Sequence, residues 1–467
     1  MIDVGSETKP EGARLRIARL LSLAIFGSLL SLIVLTAIPY GTADAWWRAV
    51  FVSLVFLLAI GWVAEGWLSG SWRTGGRDLL LPLVVLAGFS LLQTISLGSG
   101  SAGGVSLPFW NAISADPYQT RFFVLELMAL VVALALFFRY AATETRIKTV
   151  IYVIIAVAVV SALFGILRQT TQHQIGFGLP LIQPSQGYGQ FINKNHFAFL
   201  MEMAFGLALG LILGGGIARE RVLIIVAALL PIWVGLVLSN SRGGILAMLA
   251  QLVIAVLLVT AARPELGRVD SGWMKIPGSL PVRIALVIVL VIGMSIGILW
   301  VGGDRLASNI GSVRNEFDAS VAASRDGSSR KEVWLTTLRM FRDHPIAGIG
   351  MGGYWIAITA YHDASGVLTP QEAHNEYLEL LSSGGLIGLA IGAWFASAMF
   401  KRVHRNLRST NKFQRGVTFA ATLAIAGVAV HSLFDFGLHM IVNALIFVAL
   451  IAIATREEIS GRETWES

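Results

Sequence analysis

The sequence predicts an all-α polytopic membrane protein of about 12 transmembrane helices, with one long helical extracytoplasmic loop between the ninth and tenth spans. Three observations predict it. Of 467 residues, 55% are hydrophobic and only 13% charged, against about 25% charged in an ordinary soluble domain. The mean hydropathy is +0.72. The apolar residues also come in runs long enough to cross a bilayer, which takes roughly 20 of them in a helix. This balance excludes a disordered chain, a nucleic-acid-binding domain and an ordinary cytosolic enzyme. No cysteine is present, which excludes disulfides, zinc-thiolate sites and thiol catalysis.

The runs fall near 20–39, 49–68, 78–97, 122–140, 147–167, 196–216, 220–239, 243–261, 282–301, 376–400, 414–434 and 439–455. An even number puts both termini on one side, and Lys and Arg decide which, because cytoplasmic loops retain them. With the N-terminus inside, the inner segments hold 23 of the 35 basic residues and the short outer loops only five, Arg48, Arg121, Arg168, Lys194 and Arg242. The remaining seven lie in the outer segment 302–373, and loops of that length escape the charge rule. The formal charge of +7 is therefore an orientation signal and not a polyanion-binding patch. Residues 1–19 form a cytoplasmic N-terminus, 20–301 carry spans one to nine, 302–373 form the outer loop, 374–455 carry the last three spans, and 456–467 are cytoplasmic. The first span follows Arg14, Arg16 and Arg19 and is longer than a signal-peptide core, so the Ala43-x-Ala45 pattern beyond it is read as uncleaved. Gly206, Gly210 and Gly214 recur every fourth residue, as do Gly384, Gly388 and Gly392. Small residues at that spacing let helix backbones approach closely.

The unusual polar residues gather at the outer ends of the spans. Arg168 ends the fifth, Asn193, Lys194, Asn195 and His196 open the sixth, and Arg242 lies in the tight turn before the eighth. His374, Asn375, Glu376 and Glu379 open the tenth, and His431, Asp435 and His439 flank the last outer turn, with Glu126 and Glu202 within spans nearer that face. Each alone is equally an interfacial anchor or a helix cap. Together, Arg and His clustered on one face point to a site for something anionic at the membrane boundary. In the outer segment, Ser328 to Arg342 reads as an amphipathic helix with Trp334, Leu338 and Phe341 on one apolar face and Arg330 pointing the same way as Trp334. Three motif matches are rejected. Gly348–Gly353 fits G-x-G-x-x-G without the strand that motif requires. Asp435-Phe-Gly437 spells a kinase triplet without its partner loops. Glu316-x-Asp318 is read as a solvated pair, not as a metal site.

The order of these pieces resembles the O-antigen ligase and polymerase superfamily of envelope glycosyltransferases. The matching residues are Gly189-Gln-Phe-Ile-Asn-Lys-Asn-His-Phe-Ala198, Ser241-Arg-Gly-Gly244, Arg330-x3-Trp334, His344 to Gly353, His374-Asn-Glu-Tyr-Leu378 with Gly384 to Gly388, and Asp435 before the final span. They run over a little more than half of the chain. The resemblance implies a GT-C-like fold in the bacterial inner membrane with a periplasmic active site. It implies metal-independent, inverting transfer of a glycan from undecaprenyl pyrophosphate to an acceptor hydroxyl, with no cofactor. Carried over by motif, Arg242 and Arg330 meet the pyrophosphate and His374 stands beside the acceptor, as the catalytic residues. Arg168, Lys194, Asn195, His196, Trp334, Asn375, Glu376, Tyr377 and Asp435 are the expected substrate contacts. Ligases commonly carry Ser two residues after the motif His, where this chain has Glu376.

The expected partners are a lipid-linked glycan donor, a glycan or lipid A–core acceptor and the bilayer, with no nucleic acid. Ligation of a finished polymer to lipid A–core comes first among the readings. Polymerisation of repeat units and protein O-glycosylation use the same donor chemistry. A different class, an anion transporter, would also use Arg and His clusters, but paired broken spans in two related halves are not visible in the sequence.

Overall fold

A computed structural model describes residues 12–38, 40–72, 74–96, 112–171, 175–176, 179–180, 187–261, 330–362 and 370–457. Among the described residues the fold is helical apart from an antiparallel ribbon of two two-residue strands, Ile175–Gly176 with Leu179–Pro180. The helices are α1 (Ala13–Thr36), α2 (Ala45–Ser69), α3 (Arg77–Gln93), α4 (Pro117–Tyr140), α5 (Glu144–Thr171), α6 (Lys194–Gly214), α7 (Val222–Leu238) and α8 (Arg242–Ala261). They continue as α9 (Arg330–Asp343), α10 (Glu376–Leu407), α11 (Lys412–His431) and α12 (Ile441–Thr455), with single turns between. Eleven of the twelve apolar runs have a helix at their place, and seven of the described helices are long and apolar enough to cross a membrane. The run at 282–301 and the pair Glu316-x-Asp318 lie outside the described residues, as do parts of the 302–373 segment.

The helices lie at different depths. α6, α11 and α12 are the core, with every residue of α12 buried except Phe447. α2 is mostly exposed and carries Trp46 at 60% and Trp67 at 71% exposure near its two ends. At 1.5 Å rise per residue those indoles stand about 30 Å apart, the thickness of a bilayer's hydrocarbon layer, as expected of interfacial rings. The ends assigned to the inner side meet one another. Arg139 donates to Glu65 at 2.9 and 2.5 Å, and Arg402 grips Asp78 with two donors at 2.7 and 2.5 Å. The opposite ends meet at the polar cluster described below.

The first glycine row is a seam. A Cβ at Gly210 would lie 2.4 Å from Ala420 Cα, and one at Gly206 would lie 2.8 Å from Ala424 Cα, so α6 and α11 pack main chain against main chain. Gln251 of α8 closes the joint by donating to the Glu202 and Leu423 carbonyls. Gly210→Val should therefore destabilise the fold by about 1–3 kcal/mol through overpacking. Gly88→Ala, where a Cβ meets nothing within 4 Å, should not. Thermal melting of both variants in detergent checks this, and equal midpoints would remove the seam.

The second row is not a seam, which corrects the sequence reading. Gly384, Gly388 and Gly392 face the Met351 side chain and Leu380 of their own helix, and no backbone of another helix. The glycine that matters is Gly385, at φ 60° and ψ −158°, where α10 breaks. The segment after α9 enters the break. Leu386 N–H donates to Pro345 O at 2.8 Å and Ile387 N–H to Ile346 O at 3.2 Å, while Ile349 and Gly350 N–H donate to the Ser382 and Ser383 carbonyls. Freed main-chain groups at membrane depth must find such partners. Gln93 seals the joint by donating to Ala347 O and accepting from Met351 N–H. The Gly348–Gly353 run is thus a docking loop.

The face of α9 is also corrected. Its buried residues are Val333, Thr336, Thr337 and Met340, whereas Leu338 is 43% exposed. The small Thr337 lets the helix close on Tyr354, with the two hydroxyls 2.7 Å apart. Contact with the protein, not the summed apolarity of Trp334, Leu338 and Phe341, selects the face.

Candidate functional site

Three helices begin at one place. α6 is capped by Asn193, whose carbonyl oxygen accepts Asn195 N–H at 2.8 Å. α8 is capped by Ser241, which accepts Gly244 N–H at 3.2 Å. α10 is capped by Asn375, which accepts the Tyr377 and Leu378 N–H groups at 3.0 Å each. α9 brings Arg330 to the same place. Helix N-termini carry partial positive charge and present unpaired N–H groups, so their convergence favours an anion.

Asp435 joins these helices. It sits in the turn between α11 and α12 and is 1% exposed. Asn195 Nδ2 donates to it, and Ser241 Oγ donates to Asn195 Oδ1 at 2.8 Å. Phe436 N–H donates to Asp435 Oδ1 at 2.9 Å, His374 Nδ1 stands 3.4 Å from that oxygen, and Arg330 Nη2 lies 3.6 Å from Oδ2. Burial alone would raise the Asp435 carboxyl, but the hydrogen bond and charge of His374, with His196 and Arg330, hold it well below the usual carboxylate range. It is a fixed anion.

That anion sets the imidazole. An ionised carboxylate only accepts hydrogen bonds, so in the neutral imidazole the nitrogen facing it, Nδ1, is the one that carries the proton, and the lone pair falls on Nε2. The backbone aims the ring as well, since His374 has φ 50°, an uncommon value away from glycine. Its neighbours hold that turn. Trp334 Nε1 donates to Ala373 O at 3.0 Å, Asn375 Nδ2 donates to Leu433 O at 2.9 Å, and Glu376 N–H donates to Ser432 O at 3.0 Å. Arg330 and Trp334, one helical turn apart, thus both face the His374 turn.

Cations gather beside it. Arg242 is exposed at the first residue of α8, and the charges of Arg242 and Arg330 both act on Lys194. Arg330 lies against the buried carboxylate, and Lys194 and Arg242 stand close enough for the charges of the three to interact.

Other expected residues have different places. Arg168 is buried and donates to Gly189 O at 2.6 Å. It lines a mostly apolar cavity of about 450 Å³ between α1 and α5, with Tyr40, Ser161 and Gln190. His196 is buried edge-on to Phe436, with ring centroids 5.0 Å apart. The Tyr377 hydroxyl donates to Ala429 O at 2.8 Å. Glu126 pairs with Arg48 at 2.5 Å, and Glu202 pairs with His431 at 2.8 Å, so both are structural ties. Sequence reasoning missed the link between Ser241 and Asn195. Each stood in a quoted motif, and only the fold reveals that one holds the other.

An O-antigen ligase family model matches residues 225–393, a stretch that contains Arg242, Arg330 and His374. The match supports membership of the O-antigen ligase superfamily. No curated protein matches the chain.

Proposed function

We propose that this chain, which matches an O-antigen ligase family model over residues 225–393, transfers a glycan from undecaprenyl pyrophosphate to an acceptor hydroxyl. The observation that carries the reading is the union of Lys194, Arg242 and Arg330 with an imidazole oriented by a buried carboxylate, His374 on Asp435. The lysine and arginine bias of the loops supports a periplasmic site in the inner membrane.

The residues divide the work. The acceptor hydroxyl gives its proton to His374 Nε2 as its oxygen bonds to the anomeric carbon. The bond from that carbon to the pyrophosphate oxygen breaks, and undecaprenyl pyrophosphate leaves with the electron pair. Attack from the face opposite the leaving group inverts the anomeric centre. Guanidinium groups match phosphate oxygens with two parallel donors, and their fixed charge answers the charge that grows on the leaving group. In this scheme the arginines, not a metal ion, meet the pyrophosphate.

Ligation of polymer to lipid A–core is the first assignment. One observation favours repeat-unit polymerisation as the second. Glu376 stands where ligases commonly carry Ser, and its carboxylate is engaged by Leu438 N–H at 3.1 Å. Surface-lipid gels of a strain lacking the chain test both assignments. Accumulated free polymer is expected for a ligase, and single repeats on the core mark a polymerase. Unchanged glycan overturns the transferase reading.

A further inference from the structure

Beneath the site, two polar side chains meet inside the helix bundle. His431 closes α11 and Glu202 lies about two turns into α6, and both are at 0% exposure. Nδ1 of His431 stands 2.8 Å from Glu202 Oε2. The imidazole also stacks on Phe199 of α6, with ring centroids 4.0 Å apart and planes at 13°. Hydrogen bond and stacking together fix how the ring is turned. Its other edge is pressed against α8. A Cβ at Gly243 would lie 2.5 Å from His431 Cδ2 and nearer still to Nε2, so the start of α8 rests on the ring with no side chain between.

Gly243 is the residue after Arg242, and the residue before it is held as well. Ser241 Oγ donates to Asn195 Oδ1 at 2.8 Å, and Asn240, at φ 56°, makes the tight reversal from α7. The main chain of His431 serves the other side of the site. Its carbonyl accepts Phe434 N–H at 2.8 Å and Asp435 N–H at 3.1 Å, and Arg330 lies 3.6 Å from the Asp435 carboxylate. One residue thus carries the Arg242 arm on its ring and the Asp435–Arg330 arm on its carbonyl. Glu202 holds α8 a second time, since its own carbonyl accepts Gln251 Nε2 at 2.9 Å. Ionisable groups are costly at membrane depth, and an apolar pair of the same shape is often as stable as a buried polar one. Stability alone therefore does not account for this pair.

We propose that Glu202 and His431 are positioning residues that fix the place of Arg242 and set its spacing from Arg330. Both are sealed from solvent, so they act through the arginines and not on a substrate. The inference rests on the proposed role of Arg242, because two guanidinium groups can share one pyrophosphate only at a fixed separation. Loss of the Glu202 carboxylate frees the ring to turn, and a methyl group at Gly243 lifts the start of α8 off it. In both cases Arg242 shifts while its charge and its helix remain. A misplacement of about 1 Å can cost roughly 10²-fold in rate.

The first arm of the test reads position, not transfer. The chain has no cysteine, so nitroxides at Arg242→Cys and His404→Cys, at the far end of α10, give one clean distance in full-length protein in nanodiscs. In Glu202→Leu and in Gly243→Ala that distance should shift or widen by at least about 1 Å. Val253→Cys, farther along α8, paired with the same His404→Cys, should show no change. Glu202→Gln keeps an acceptor for the imidazole and should restore the unmodified distance. The second arm reads binding of undecaprenyl pyrophosphate, which should weaken about tenfold or more in Glu202→Leu and Gly243→Ala. Neither loss should add to that of Arg242→Lys, since placement ceases to matter once the fork is gone. Should both variants fail to fold, Phe199→Leu, which removes only the stacked ring, takes their place with the same expectations. An unchanged distance in the folded variants overturns the proposal, as does full additivity with Arg242→Lys. Shifted distances with unchanged binding in all three variants uphold the placement and remove Arg242 from the donor, so the two readings fail separately.

Discussion

Arg242→Lys and Arg330→Lys should each lower turnover by ~10²–10³-fold, the loss typical when one preorganised donor to a developing anion is removed. The substitution keeps the charge and removes the fork. A lysine ammonium is a compact point charge, whereas a guanidinium offers planar paired donors that fit phosphate oxygens. Arg330 is aimed from both ends: its helix is pinned through Trp334 to Ala373 O, and its guanidinium lies 3.6 Å from Asp435. Arg242 starts α8, whose cap Ser241 is tied through Asn195 to the same Asp435. Both should also weaken donor binding, since the ground-state pyrophosphate already carries charge. Two single losses acting on one group are not expected to add. An interfacial anchor behaves differently, because lysine snorkels as well as arginine does. Turnover by the two variants in nanodiscs, alongside donor affinity, separates these cases, and unchanged turnover in either variant would make that arginine an anchor.

The parts of this molecule that were legible in the sequence are those set by local apolarity and charge. Eleven apolar runs became helices because hydrocarbon rewards nothing else over that length, and the charge bias grouped the ends that meet in the fold. The relation of Arg330 to Trp334 was legible too, since one helical turn fixes it. What depends on a distant partner was not. The face of α9 follows Tyr354, and Gly385 is a break because the Pro345 and Ile346 carbonyls reach it. Gly206, Gly210 and Gly214 have the same spacing as Gly384, Gly388 and Gly392, but only the first row meets another backbone. The support of Gly243 by His431 was equally hidden, because the position of His431 in the chain gives no sign that its ring meets the start of another helix. Asp435 was singled out by motif order, whereas its place as the common acceptor of Asn195, Phe436 and His374 is tertiary.

His374→Ala should slow transfer by ~10²–10⁴-fold, the range a positioned general base contributes, and should leave donor affinity within a few-fold of the unmodified protein. The reason is spatial. His374 faces Asp435 through Nδ1 and is 36% exposed on its other side, while the donor's charge is left to Lys194, Arg242 and Arg330. Asp435→Asn should fail in two ways at once. An asparagine can turn its NH₂ toward the imidazole, which selects the tautomer with its lone pair on Nδ1 and its proton on Nε2, so the base faces away from the acceptor. The same change removes the anion beside Arg330 and alters the acceptor of Asn195, so the cations lose their alignment and donor affinity falls as well. The two variants thus make a paired test in which the histidine variant loses turnover alone and the aspartate variant loses turnover and binding together. Donor titration and single-turnover rates, measured on both in nanodiscs, read the two quantities separately. If His374→Ala abolishes donor binding, the imidazole is a phosphate ligand and the acceptor proton must go elsewhere. If Asp435→Asn transfers as fast as the unmodified protein, the carboxylate does not orient the base, and the buried network serves the fold alone.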